Sequence, residues 1–377
     1  MRVRRTSVTK VALPTPSPRT TRGGRAAQWP TPCHHIAHGV SHFGNAARIR
    51  DTHPGVAAFL VASVILLTGC ASSDVPRRTT ATDGPAVAAP VSVTPWSFEG
   101  HPGRRLATPR YVLFTTLDRN DPLNDTLPQL LEGAHAQYRR LAPTAPPTDR
   151  PLECYVFADH PQWASFTRQS TGALAPVYLQ ITRGGYTFGD RFAAFDYGER
   201  QTQLCAAHEG WHQFAKRHFK AQLPFFLEEG IACLFEDVDW DGRLPRWDLS
   251  SNGTRLAGLR TAVEDRKLFP LSQLIRMHAG EVVRRPGERL GAFYAQNWAF
   301  ARFLWDGEGG RYRPALLALT ADAVAGSIRT RAGPLPATGP WDPHASRPIL
   351  EHYLNLPLDD IEKRYAAYVA RLAASGD

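Results

Sequence analysis

Residues 205–214 read CAAHEGWHQF, and the H-E-x-x-H inside this stretch constrains the chain more than any other feature. Side chains four apart share a face on an α-helix, so His208 and His212 reach one ion only if the stretch is helical. Both imidazoles then address a single tetrahedral cation, and Glu209, one position on, stands beside its open coordination position. Three protein ligands leave room for a water, whose pKa falls toward about 7 on zinc and whose proton needs a nearby carboxylate. The same helix presents Leu204, Trp211, Phe214 and Ala215. One of its faces must therefore be buried, and a histidine turned inward there needs a partner.

A third ligand is sought downstream, where residues 223–232 read LPFFLEEGIA at the start of a second amphipathic helix. Here the chain resembles the gluzincin metallopeptidases, whose second helix carries an E-G-x-A element with its Glu on the metal. In detail it is most similar to gluzincin-clan, zinc metallopeptidase-like bacterial lipoproteins. The likeness runs over residues 109–375 and includes Tyr294, Gln296 and Trp298 and a closing amphipathic helix over 358–372.

The resemblance implies Zn2+ held by His208, His212 and Glu229, with Glu209 as general base and then proton donor to the leaving amine. Glu228 is the alternative third ligand, although no Gly follows it. Tyr294 is the implied donor to the developing oxyanion, because its helix in this family runs beside the site; His218, Tyr186 and Tyr197 are weaker options. A polar residue one turn after the ligand Glu orients the first imidazole in several relatives, and here that position is Cys233. Cys205, one turn before His208, could face it across the two helices, so a Cys205–Cys233 disulfide is one reading and two buried small residues the other. The strand before the H-E-x-x-H helix pairs with extended substrate in this clan, which points to residues 177–182 or 192–197. No element that would grip a free amino terminus is evident, so the implied activity is hydrolysis of peptide or protein substrates as an endopeptidase. A relative that keeps the fold but serves as an envelope binding or assembly module is the alternative.

The amino-terminal region sets the compartment. Residues 56–67 (VAAFLVASVILL) form a charge-free run after Arg48 and Arg50, too short to span a bilayer comfortably, and they end in Leu67-Thr68-Gly69-Cys70. This resembles the lipobox of bacterial lipoproteins, with residues 1–69 as leader and signal peptide and Cys70 as the lipidated residue. Residues 1–47 exceed the usual short basic head, which points to a later start codon. Ala71, rather than Asp, follows the cysteine and favours the outer membrane by analogy with Gram-negative sorting. The expected location is the bacterial cell envelope, facing periplasm or exterior. Residues 70–108, rich in Ser, Thr, Ala and Pro without apolar period, read as a flexible tether.

Charge agrees with this division. Nine basic residues and Asp51 give residues 1–69 nearly all of the formal +9, leaving about +1 on the remainder, so nothing argues for a nucleic-acid surface. Three cysteines remain in the body, permitting at most one internal pair.

The body reads as α+β. Strands are expected over 111–116, 153–158 and 177–182, helices over 125–141 and 162–168, and a turn with a further edge strand over 186–197. Beyond residue 199 the signals are helical, over 200–218, 224–237, 271–280, 288–306, 312–325 and 357–374, with loops over 243–253 and 332–346. The expectation is a small mixed-sheet subdomain with helices (109–198) followed by a mainly helical one (199–375), zincin-like through the resemblance, with the active site at their junction. The acidic run 236–242 (EDVDWDG) lacks the closing Glu of a calcium loop. It reads as a solvated helix end, with Glu236 in a supporting role.

Overall fold

The computed structural model describes residues 88–283, 289–333 and 342–375. The leader, Cys70 and most of the expected tether lie outside the described residues.

The chain enters through a hairpin, β1 (Ser92–Phe98) and β2 (His101–Ala107), closed by Glu99 and Gly100, both at positive φ. Two such residues form the tight turn whose twist matches an antiparallel pair. Then follow β3 (Tyr111–Thr115), α1 (Leu123–Leu141), β4 (Leu152–Phe157), α2 (His160–Thr171), the single turn α3 (Ala175–Tyr178), β5 (Gly185–Phe188) and β6 (Arg191–Phe195). The strands make one mixed sheet in the order β1-β2-β3-β4-β6-β5. The central pairs β3–β4 and β4–β6 are parallel and the outer ones antiparallel.

Alternation along β4 divides the two faces. Cys154 looks toward Gln213 on the helix α4 (Glu199–His218), whereas Tyr155 and Phe157 pack on Phe166 of α2, at ring separations of 4.5 and 5.1 Å. The α4 face is also covered by α1, whose Tyr138 donates to the Ala207 carbonyl at 2.6 Å. Thus the H-E-x-x-H helix lies between the sheet and α1, and its buried surroundings follow from that position.

After α4 come α5 (Phe225–Cys233), the hairpin β7 (Val238–Asp241) and β8 (Leu244–Trp247), α6 (Gly253–Glu264), and the short α7 (Leu271–Leu274) and α8 (Ala279–Val283). The long α9 (Leu290–Gly310), α10 (Arg313–Ala325), α11 (Ile328–Arg331), α12 (Ser346–Leu354) and α13 (Leu358–Ala374) complete the described chain. One continuous buried core runs from Leu106 on β2 to Leu372 on α13, joining the sheet half and the helical half.

Several sequence expectations require correction. The span 70–108 is not tether throughout, since β1 and β2 occupy its last part; Trp96 packs on Phe114 at 5.4 Å and Phe98 on Phe157 at 5.1 Å. Residues 177–182 are not a strand, because Pro176 near the start of α3 fixes a helical turn that ends the β-branched run. Residues 192–197 do not form an edge: β6 is flanked by β4 and β5, and β5 is the edge strand. The helix expected over 224–237 stops at Cys233, and a hairpin occupies much of 236–247. Residues 271–280 hold two short helices rather than one, and α6 and α12 were not anticipated.

Candidate metal centre and its supporting shell

On α4, His208, Glu209 and His212 are fully buried, and Glu229 on α5 is 3% exposed. His208 Nε2 and His212 Nε2 lie 3.3 Å apart, and Glu229 Oε2 lies 3.6 Å from the first and 3.9 Å from the second. Two atoms bound at 2.0–2.1 Å to one tetrahedral ion are separated by about 3.3–3.4 Å. The triangle therefore needs only slight contraction to hold a metal ion.

The outward nitrogens explain why the inward ones converge. His208 Nδ1 is 2.8 Å from Glu236 Oε1, and His212 Nδ1 is 3.3 Å from Glu228 Oε1. A carboxylate only accepts, so each Nδ1 carries a proton, which leaves Nε2 as the nitrogen that would bind a metal. Glu228, the alternative third ligand, is thus placed behind His212, while Glu229 faces the convergence point.

Glu236 is itself anchored. Arg255 donates to both of its oxygens, and the Asn252 amide reaches Oε2 at 3.3 Å. Burial alone would raise the Glu236 carboxyl, but Arg255 and the His208 ring hold it down at about 2. The residue is 5% exposed, so this part of the acidic run is not a solvated helix end; Asp237 is buried as well and pairs with Arg200. His208, Cys233 and Glu236 also form a group close enough for a cation. The Arg255 guanidinium already neutralises that carboxylate, which makes the group a support for His208 rather than a second metal site.

Glu209 sits beside the triangle. Burial raises its carboxyl above the ordinary value, against the lowering influence of His212 and His208. Its Oε2 accepts from the Thr187 hydroxyl at 2.9 Å, whereas Oε1 is buried without a hydrogen-bond partner. The Tyr294 hydroxyl is likewise buried and unpartnered, with the Arg255 guanidinium 5.1 Å over its ring. Burial raises that hydroxyl well above its usual range, and Glu229 adds to the effect. Of the other donors considered, Tyr186 bonds Ser170 and Tyr197 donates to the Gln201 carbonyl, whereas His218 packs on Phe214 with its Nε2 buried and without a hydrogen-bond partner.

Two glycines of the motifs are required by close approach. A Cβ on Gly210 would lie 2.6 Å from the Tyr138 hydroxyl, and one on Gly230 would lie 2.2 Å from the Asn297 carbonyl oxygen. Gly230 thereby lets α5 press against α9, the helix that carries Tyr294.

A Cys205–Cys233 disulfide is absent. Both thiols are free and buried. Cys205 Sγ faces Gly185 on β5 and hydrogen-bonds Tyr197, whereas Cys233 hydrogen-bonds His208, which agrees with the expected position of residue 233. One helical turn fixes a direction around each helix axis, and here the two directions diverge.

Sequence reasoning missed Thr187, Asn252, Arg255 and Tyr178, the last lying within electrostatic reach of Glu209. A signal existed for two of them. Asn252 caps α6 by accepting from the Arg255 amide, and an Asn before an apolar-periodic run marks a helix start.

Compared with protein-family models, with curated proteins and with solved structures, the chain has no significant match.

Proposed function

We propose that the protein is a zinc-dependent, endopeptidase-like peptide hydrolase, anchored to a bacterial envelope membrane by lipid on Cys70. The observation that carries the reading is the convergence of His208 Nε2, His212 Nε2 and Glu229 Oε2 beside an unpartnered carboxylate oxygen of Glu209. Two imidazoles and one carboxylate on neighbouring helices suit zinc, which supports a zincin-like reading.

A bound zinc would lower the pKa of a water and polarise a carbonyl oxygen. The chain's own residues do the rest. Glu209 accepts a water proton as the water oxygen adds to the peptide carbonyl carbon, and then delivers that proton to the leaving amine. Tyr294 offers its free hydroxyl to the developing oxyanion. Glu236 and Glu228 keep the two imidazoles in the required tautomer.

Burial of both imidazoles and of Glu209 favours one rival, a binding or assembly module that retains the metal centre without turnover. Peptide hydrolysis by this site requires the side chains that bury it to move. Among the described residues no helix is long and apolar enough to cross a membrane.

Glu209→Gln discriminates. The hydrolase reading expects zinc to remain bound while cleavage of a peptide library falls by at least about 100-fold. Zinc with no cleavage by the unaltered protein favours the binding module.

A further inference from the structure

The two oxygens of Glu209 are not equivalent, and the difference comes from Thr187 on the edge strand. The Thr187 hydroxyl lies 2.9 Å from Glu209 Oε2 and 3.0 Å from the Glu209 main-chain oxygen, while Oε1 has no partner. A threonine hydroxyl has one proton to donate. The main-chain oxygen lies inside α4, where the helix ladder already supplies a donor, so the proton is better spent on the charged carboxylate.

We infer that Thr187 is a positioning residue for Glu209: it ties Oε2 to the sheet and leaves Oε1 as the oxygen that takes the proton from water. The inference rests on the hydrolase reading above. Thr187 can serve this way because its backbone is fixed. It pairs with Phe192 across β5 and β6, and it is 5% exposed. A tether from a strand restrains the last torsion of a long side chain that its own helix cannot restrain. Without it, the carboxylate would rotate between two equivalent oxygens, and fewer encounters would present a free lone pair at the right place.

The test uses the full chain, a mixture of fluorogenic peptides as substrate, and Thr187→Val and Thr187→Ser. Valine keeps the shape and removes the donor; serine keeps the donor. Thr187→Val should lower kcat by on the order of 10–100-fold with KM and bound zinc unchanged, and Thr187→Ser should restore most of the rate. If Thr187→Val does not fold, Thr187→Ala against Thr187→Ser provides the same contrast. Equal losses in the valine and serine variants, or an unaltered kcat in Thr187→Val, overturn the inference and leave the hydrolase reading standing. Failure of the unaltered protein to cleave any peptide overturns both.

Discussion

Arg255 donates from Nε and Nη2 to the two oxygens of Glu236, each at 2.6 Å, and Glu236 in turn holds His208 Nδ1. A residue at the start of α6 thereby sets the orientation of an imidazole on α4. Removing one partner of a buried pair leaves an uncompensated charge, which costs about 3–5 kcal/mol. Arg255→Met should therefore lower stability by that order in urea unfolding. It should also weaken zinc binding by roughly 10–100-fold in a chelator competition. Unchanged zinc affinity would separate Glu236 from the metal centre.

The contact between Gly210 and Tyr138 makes a second prediction. Gly210→Ala places a methyl against the tyrosine hydroxyl and should cost about 1–3 kcal/mol by overpacking. In a Tyr138→Phe background that hydroxyl is gone, so the added cost of the alanine should shrink. Additive losses in the double variant would show that the crowding arises elsewhere.

Acid sensitivity should have a component remote from the centre. Burial and the nearby Arg110 lower His135 to about 3, and burial and Arg217 lower His218 to about 4. Folded His135 stays neutral where the unfolded chain, with a pKa of about 6.5, takes up a proton. Its contribution to stability is complete above about 6.5 and is lost as pH falls toward about 3, by up to about 1.4 kcal/mol per pH unit. His135→Gln should flatten the slope of unfolding free energy against pH in that window. An unchanged slope would contradict the assignment.

The position of the first strands bears on any shortened form. A chain starting at residue 88 keeps β1 and β2, whereas one starting at 109 leaves the β3 edge unpaired and removes Trp96 and Phe98 from the aromatic layer. Exposed edges of this kind promote association. Light scattering should show the shorter form aggregating and the longer one monodisperse; equal behaviour would make the hairpin dispensable.

What the sequence made legible was local. The spacing of His208 and His212 on one helix depends on helical periodicity alone, Glu229 on α5 was implied by the resemblance, and the three residues do converge. What it hid depends on neighbours distant along the chain. Arg255 reaches Glu236 only after the chain has passed through β7 and β8, and Thr187 reaches Glu209 from a strand whose place at the sheet edge is set by tertiary pairing. Composition misled twice: Ser, Thr and Pro masked the β1–β2 hairpin, and the β-branched residues of 177–182 masked a helical turn started at Pro176.

Elemental analysis of the purified full chain, with His212→Ala alongside, tests the central claim most directly. The account predicts close to one zinc per chain in the unaltered protein and loss of that zinc in the variant. Absence of stoichiometric metal from the unaltered protein, or full retention in His212→Ala, would contradict it.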